Sequence, residues 1–260
     1  MLLTIDAGNT NITIGLFDGD NLSGSWRVAT DPHRTPDEHA SILGNFLEWE
    51  SDDPQALLEK INDVCICSVV PPLTPVLVEF TKRFLQTEPL VIDSNVDTGI
   101  TNEYSDPSSV GADRITNAVA AHALFRSDCI IVDFGTATTF DAVTANGTYR
   151  GGAIAPGITL ATEALYQQAA MLRRVELIEP SQAIGLTTAE SMQSGIVFGY
   201  VGLVKELVGR FQGELGGQAT VVATGGLAEL IAPLTGFINE VNPDLTLIGL
   251  RLIYERNQNS

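Results

Sequence analysis

Two short acidic turns of the same pattern lie far apart in the chain. Residues 6–11 read Asp-Ala-Gly-Asn-Thr-Asn after an apolar run, and residues 133–138 read Asp-Phe-Gly-Thr-Ala-Thr after another. A glycine lets backbone N–H groups come close to phosphate oxygens, and amide and hydroxyl side chains add donors. An aspartate that faces phosphate needs a cation such as Mg²⁺ in between. The repeat predicts two facing turns, led by Asp6 and Asp133, that hold a metal-bound polyphosphate.

A third acidic residue, Asp113, lies between the two turns in the sequence and is followed by Arg114. Both come at the start of a predicted helix, whose positive end favours a charged carboxylate, so we expect Asp113 to be ionised at neutral pH. There it can accept the proton of a hydroxyl that attacks a phosphoryl group. The planar guanidinium of Arg114 can bind a substrate carboxylate. The alternative is an ordinary helix start with a surface ion pair.

The turns match neither of two common nucleotide-binding motifs. The sequence contains no Gly-x-x-x-x-Gly-Lys, and no lysine lies near either turn, which excludes a Walker A loop. A second predicted strand follows each turn, at residues 12–17 and 140–143, whereas the dinucleotide fingerprint must open a helix. Each turn is therefore predicted to join the strands of a hairpin.

The charge and composition of the chain argue against two kinds of partner, nucleic acids and membranes. The net charge of −18 argues against a nucleic-acid partner. The longest apolar stretch, residues 196–204, is too short to cross a bilayer, and no secretory signal is visible, so we expect no membrane partner and a cytoplasmic location. The three cysteines, Cys65, Cys67 and Cys129, lack further ligands at zinc-site spacing and are predicted to be buried thiols.

Helix-start signals place the elements around these residues. The pairs Thr35/Glu38 and Thr187/Glu190 have the spacing of capping boxes, and Thr74 precedes a proline in the same way as Thr35. The second pair predicts a long helix from about residue 188. Small residues on one side of that helix let another backbone approach, which indicates either plain helix packing or a subunit contact; they are Gly195, Gly199 and Gly202.

The order hairpin, strand, helix, strand, helix occurs twice and predicts an α/β duplicated fold with mixed sheets. Residues 95–112 are predicted to be a loop that joins the two halves, which we place at residues 1–108 and 109–260. With the repeated Asp-x-Gly turn and a Thr-Gly-Gly at residues 224–226, the chain resembles the actin, hexokinase and heat-shock-protein superfamily. That resemblance implies two similar actin-like (ribonuclease H-like) halves around a central cleft.

A more specific resemblance is to the type III pantothenate kinases. The motifs that carry it run in the family order across nearly the whole chain: residues 6–10, Tyr104 with Pro107, and residues 111–115, 133–138, 151–157, 192–195 and 223–226. The Gly-Ala-Asp-Arg element with its upstream tyrosine is the most specific of them. The resemblance implies ATP-dependent phosphorylation of the 4′-hydroxyl of pantothenate, the first step toward coenzyme A.

The resemblance also implies roles for individual residues. Asp113 would be the general base, and pantothenate would be held by Tyr104, Gly111, Ala112, Asp113, Arg114 and, from a partner subunit, Thr188. ATP would contact Asp6, Ala7, Gly8, Asn9, Thr10, Asn11, Ile12, Thr13 and Thr136. The family is dimeric and uses potassium or ammonium, for which Asp133 matches a ligand, in addition to Mg²⁺ near Asp6. Leu186 and Thr187, before Thr188, depart from the more polar residues expected there.

Two other functions fit the same fold. A nucleotide-binding transcriptional accessory or regulatory protein would not need the pair Asp113 and Arg114, so the presence of that pair favours an enzyme. A sugar or acetate kinase of the superfamily would share the phosphate turns and differ in its substrate.

Overall fold

The computed structural model describes residues 1–169 and 172–258. Contacts divide the chain into two units, the first comprising Met1–Ile100, Ser105–Ala120 and the chain from Thr246 onward, and the second Thr101–Tyr104 and Ala121–Leu245. Residues 109–120 were predicted to belong to the second half, whereas contacts group them with the first unit. The predicted halves were defined by the repeat in the sequence and not by contacts, so the contact division does not test them. The boundary after residue 108 stays a prediction.

The first unit is built on a five-stranded mixed sheet of order β3-β2-β1-β4-β5. Its first three strands are antiparallel, whereas β4 and β5 run parallel to β1. The strands are β1 (Leu2–Ala7), β2 (Asn11–Asp18), β3 (Asn21–Ala29), β4 (Asp63–Ser68) and β5 (Leu90–Val91). Its helices are α1 (Pro36–Glu50), α2 (Pro54–Glu59), α3 (Thr74–Phe80), which continues as a π-helical turn over Thr81–Leu85, and most of α4 (Ala112–Phe125) and α8 (Leu245–Gln258).

Strand alternation gives the first sheet two different faces. Leu3, Ile5 and Ala7 pack into a core with residues of α1 and α3. Leu2 belongs instead to a second cluster with the cysteines of β4 and apolar residues of α4 and α8. Asp6 follows Leu2 at an even spacing, so its side chain lies on the α4 and α8 face of the sheet.

The second unit repeats this arrangement. Its six-stranded sheet has the order β11-β10-β7-β8-β9-β6, in which the first five strands correspond in order and direction to β5-β4-β1-β2-β3. The strands are β6 (Thr101–Asn102), β7 (Cys129–Phe134), β8 (Ala137–Val143), β9 (Thr148–Pro156), β10 (Thr220–Thr224) and β11 (Glu240–Val241), and the helices are α5 (Ile158–Gln168), α6 (Thr188–Glu214) and α7 (Ala228–Thr235). The predicted duplicated α/β fold with mixed sheets is confirmed.

Most of the local predictions are confirmed. Both capping boxes form, with Thr35 at the start of α1 and Thr187 at the start of α6. The three cysteines are free and buried. No helix among residues 1–169 and 172–258 combines the length and apolar character that a membrane span requires.

Two local predictions are wrong. Thr74 does not cap α3, since the cap is Leu73 and the Thr74 hydroxyl instead donates to Ser68 Oγ at 2.9 Å. The stretch predicted to be a loop over residues 95–112 contains the short strand β6 and a 3₁₀ turn at Pro107–Ser109. A strand of two residues is too short to show periodicity in the sequence. Its pairing partner β9 lies far along the chain, so no local pattern indicates the pairing either.

One histidine is buried inside the first unit. His39 on α1 is 4% exposed and its ring lies 6.1 Å from that of Phe80. Among the residues described, Nε2 of His39 has no hydrogen-bond partner. Burial first, and the charge of Arg34 second, lower the pKa of His39 to about 4, whereas Glu38 and Asp31 oppose that shift. The imidazole is therefore neutral at physiological pH.

We expect His39 to make the protein less stable in acid. The imidazole of His39 takes up a proton near pH 6.5 in the unfolded state and near pH 4 in the folded state. The free energy of unfolding therefore decreases as the pH is lowered from 6.5 to 4, by on the order of 3 kcal/mol in full. Urea unfolding of His39→Leu at several pH values should show a shallower decline than wild type. His33→Leu, which removes an exposed imidazole, is the matched control. Equal slopes for wild type and His39→Leu would contradict the prediction.

Candidate active site

The first acidic turn closes the β1–β2 hairpin. Asp6 is half-buried at the end of β1 and pairs with Thr13 across the hairpin. In the turn, the N–H of Gly8 donates to the carbonyl of Asn11 at 3.0 Å. The side chains of Asn9, Thr10 and Asn11 are exposed, as binding to an external ligand requires.

Thr30 braces this turn, which the sequence did not indicate. Its hydroxyl donates to the carbonyl of Gly8 at 2.6 Å, and its N–H donates to the carbonyl of Thr10 at 2.9 Å. Both carbonyls are therefore engaged by the residue that follows β3. Ala7 and Ile12, which were predicted to contact ATP, are buried, so they could offer only backbone groups.

Asp113 lies in the first turn of α4. One carboxylate oxygen, Oδ1, accepts the backbone N–H of Arg114 at 2.8 Å. A Cβ on Gly111 would collide with that oxygen, so any other residue there would displace the carboxylate from this position. Arg114 is 7% exposed. The alternative of a surface ion pair is therefore wrong, because Arg114 is buried and Asp113 is half-buried.

Burial raises the pKa of Asp113 above its usual value, and the N–H and positive charge of Arg114 offset only part of that shift. The direction is opposite to the one expected from the helix end alone. Loss of hydration disfavours the charged form more than the local dipoles favour it. A carboxylate with a raised pKa is a stronger base than one in water, which suits proton abstraction from a hydroxyl.

Asp6 and Asp113 are brought together around Cys67. Cys67 is the parallel-strand partner of Asp6 in the β1–β4 register. Burial raises the pKa of the Cys67 thiol well above its usual range, and the nearby negative charges of Asp6 and Asp113 add to the shift. The thiol thus stays neutral between two acidic groups. Within the first unit, a phosphate turn and a candidate base share one face of the sheet.

The second unit contains the other acidic turn. Asp133 ends β7 and pairs with Thr139 in β8 and Thr224 in β10. Gly225, at φ 89°, lies so close that a Cβ would overlap Asp133 Oδ1. A Cβ on Gly135 would lie 3.3 Å from the same oxygen. The carboxylate therefore lies directly against glycine backbone on two sides, and a carboxylate oxygen is a ligand that suits a hard cation.

A buried acidic residue near Asp133 was missed in the sequence. Asp141 is fully buried in β8 and accepts hydrogen bonds from the Tyr149 hydroxyl at 2.6 Å and the Thr139 hydroxyl at 3.3 Å. Residues two apart in a strand share a face, so Asp141 lies on the same side as Thr139 and Asp133. The only signal for Asp141 in the sequence was that it stands two positions after Thr139 in a predicted strand, which puts both side chains on one face.

The remaining predicted residues fall in both units. Gly111, Ala112 and Arg114 belong to the first unit with Asp113, and Tyr104, Thr136 and Thr188 belong to the second. The ring of Tyr104 lies against Gly151, where a Cβ would be 3.4 Å from two ring carbons. Thr136 is exposed in the Asp133 turn, and Thr188 is exposed as the first residue of α6.

Residues 2–210 match the model of the family described as type III pantothenate kinase. A protein from Moorella thermoacetica named type III pantothenate kinase is 51% identical over 257 residues, which cover 99% of this chain and 100% of the relative. The chain belongs to the type III pantothenate kinase family. This membership identifies it as a kinase, in agreement with the pair Asp113 and Arg114 and with the resemblance described above.

Solved structures confirm the actin-like fold class. A Campylobacter jejuni protein described as a conserved putative Baf family transcriptional activator has a TM-score of 0.62 and 18% identity, covering 99% of this chain and 100% of that one. A ROK hexokinase from Thermus thermophilus has a TM-score of 0.50 and 17% identity, with 99% of both chains covered. At such identities the likeness concerns the fold alone, so it does not favour a regulatory function for this kinase.

The raised pKa of Asp113 predicts that the wild-type side chain lowers the stability of the protein. The folded state binds this proton more tightly than the unfolded state, so stability falls as pH rises from the unfolded pKa through the folded pKa. Asp113→Asn keeps an oxygen for the Arg114 N–H and removes the charge. In urea at pH 7 its unfolding midpoint should be higher than that of wild type.

The control for this prediction is Asp18→Asn, which removes a carboxylate from an exposed position at the end of β2. Its midpoint should stay close to that of wild type. A midpoint for Asp113→Asn at or below the wild-type value would show that burial of the charge carries no cost.

Proposed function

We propose that the chain transfers the terminal phosphoryl group of ATP to the 4′-hydroxyl of pantothenate, with Asp113 as the general base. The observation that carries this proposal is the half-buried Asp113 carboxylate, on the same sheet face as the phosphate turn of Asp6 and next to a buried arginine. Phosphoryl transfer has a loose transition state, so positioning and charge neutralisation matter more than a strong base. A late proton transfer to Asp113 is sufficient.

ATP and Mg²⁺ fit the first acidic turn. The exposed side chains of Asn9, Thr10 and Asn11 and the backbone of residues 6–13 can donate to phosphate oxygens. No group of three His, Cys, Asp or Glu side chains within the described ranges could hold a metal. Mg²⁺ commonly binds one or two carboxylates and completes its shell with phosphates and water. Asp6 would hold it in this way, and Thr136 would contact the nucleotide from the second turn.

Pantothenate is a carboxylate that carries a hydroxyl, and Arg114 offers the matching group. A buried guanidinium binds a carboxylate with two parallel hydrogen bonds at little cost in side-chain entropy. Tyr104 and the backbone of Gly111 and Ala112 would bind the rest of the substrate. Thr188, which is exposed at the start of α6, would reach it from a second subunit.

A monovalent cation, potassium or ammonium, would be held by Asp133. The support is the close approach of Gly135 and Gly225 to its carboxylate, where the Ala137 carbonyl also lies near the Gly135 Cβ position. Such a cation would offset phosphate charge in a protein with no lysine near either turn.

A homodimer is supported by the surface of the second unit. Among the described residues, a Cβ on Gly195, Gly199 or Gly202 would meet no atom within 4 Å, so these glycines of α6 are not required by packing against that part of the chain. Exposed apolar side chains occur nearby in the sequence, with Ile184 79% and Leu186 82% exposed. A sedimentation mass equal to that of a single chain would contradict the dimer.

The proposal also includes a cytoplasmic location and the absence of nucleic-acid and membrane partners.

Removal of the proposed base should abolish most of the activity. Asp113→Asn should lower turnover by about 10²–10⁴-fold, the usual contribution of a positioned base, because its amide does not accept the hydroxyl proton. The assay follows phosphopantothenate formation with ATP, Mg²⁺, potassium and pantothenate. ATP binding should be retained, since Asp113 is not part of the nucleotide turn. Turnover near the wild-type value would remove Asp113 from this role.

Arg114→Ala should mainly weaken pantothenate binding. Loss of a charged hydrogen-bonding partner costs about 1.5–3 kcal/mol, so the KM for pantothenate should rise about 10- to 150-fold. Arg114→Lys keeps the charge without the planar fork and should recover only part of the affinity. The pH profile gives a second measure, because loss of the Arg114 charge should raise the pKa of Asp113 further. An unchanged KM for pantothenate would argue against the carboxylate contact.

Replacement of potassium by sodium should depress the activity of the wild-type enzyme. Asp133→Asn removes the proposed ligand charge, so that variant should respond much less to the same exchange of ions. The comparison needs equal ionic strength, since screening alone changes the binding of anionic substrates. Wild-type activity that is indifferent to the exchange would argue against a cation at Asp133.

A further inference from the structure

Helix α8, near the end of the chain, is tied to the first unit along its length. Arg251 forms ion pairs with Asp20 in the β2–β3 turn and with Glu255 on the same helix. Tyr254 donates a hydrogen bond to Asp63 at the start of β4. These contacts add to the apolar cluster that α8 shares with the sheet.

The same helix touches α4 through its backbone. A Cβ on Gly249 would lie 2.7 Å from Thr116 Cγ2 and 2.9 Å from the Thr116 carbonyl carbon, and closer still to the carbonyl oxygen. No side chain larger than hydrogen fits there without moving one of the helices. One turn earlier, the Thr246 hydroxyl donates to Asn117 Oδ1 at 2.7 Å. Two successive residues of α4 are therefore held by α8.

The residue in contact with Gly249 also reaches the first turn of α4. The Thr116 hydroxyl donates to the carbonyl of Ala112 at 2.7 Å, next to Asp113 in the chain. On the sheet side, the Thr116 side chain forms a hydrogen-bonding contact with the Cys67 thiol, the strand partner of Asp6. Thr116 thus lies between α8 and the strand beside the phosphate turn.

We propose that Gly249 and Thr246 of α8 are positioning residues that set the location of the Asp113 carboxylate relative to the Asp6 turn. The close Gly249 contact fixes how far α4 lies from α8, and the Thr246 hydrogen bond fixes the rotation of α4. Neither residue touches substrate. The family match ends at residue 210, so α8 lies outside it. This inference rests on the proposed role of Asp113 as the base.

Gly249→Ala in the full-length enzyme tests the proposal. The added methyl group must displace α4, and a misplacement of 1 Å at a reacting group can cost about 10²-fold in rate. We expect kcat to fall about 10- to 100-fold while the KM for ATP stays within about twofold, since the nucleotide turn is not on α4. Gly44→Ala is the matched control, because Gly44 is helical, belongs to the same unit and has no atom within 4 Å of the Cβ position.

The double variant Gly249→Ala/Asp113→Asn separates positioning from general damage. A residue that acts through Asp113 should cost little further turnover once the carboxylate is absent, because coupled residues are not additive. An equal loss in the wild-type and Asp113→Asn backgrounds would overturn the proposal. So would a folded Gly249→Ala enzyme with wild-type kcat. Full activity of Asp113→Asn alone would instead overturn the proposed function.

Thr246→Val provides the second route if Gly249→Ala does not fold. It removes one hydroxyl donor and keeps the side-chain shape. Its kcat should fall about 3- to 10-fold, the effect of losing one hydrogen bond, again with little effect in the Asp113→Asn background. Wild-type kcat in Thr246→Val, or an equal loss in both backgrounds, would overturn the proposal.

Discussion

A carboxylate kept away from water at the first turn of α4 is the constraint on which the site depends. Hydration strongly favours the charged form of Asp113, and the Arg114 N–H and guanidinium replace it only in part, so its pKa remains raised. Such a group keeps its position only if its surroundings are tightly packed. The buried, neutral thiol of Cys67 lies nearby on the sheet, and the backbone of Gly111 lies close to the carboxylate oxygen. Neither of them adds a charge.

Duplication supplies the frame and the two halves use it differently. The strand order around β1 recurs around β7, and each acidic turn ends the corresponding strand. Next to Asp6, the neighbouring strand β4 carries the neutral thiol of Cys67. Next to Asp133, the neighbouring strand β10 leads into the turn at Gly225. Helix α4 carries the candidate base, whereas helix α8 packs against it through a glycine. A repeated fold thus becomes an asymmetric site by substitutions at equivalent positions.

Local signals in the sequence were reliable where the chemistry is local. Capping boxes, the hairpins and the buried cysteines of β4 were predicted because a few neighbouring residues decide them. The prediction for Thr74 was wrong because α3 begins one residue earlier than expected, with Leu73 at the cap, and the Thr74 hydroxyl donates to Ser68 on the preceding strand. The rise in the pKa of Asp113 was not predicted for a similar reason. A helix end is visible in the sequence, whereas the desolvation that outweighs it comes from residues distant in the chain.

The repeated fold, the phosphate turns and the pair of a candidate base and an arginine could all be inferred from the amino-acid sequence, because each shows as a pattern of closely spaced residues. Which of these groups meet depends on tertiary packing. The parallel register places Cys67 beside Asp6, and the packing of α8 places Gly249 against the carbonyl of Thr116. Those contacts join residues more than fifty positions apart, and their distances follow from side-chain volume and burial across the whole unit, which no local pattern encodes.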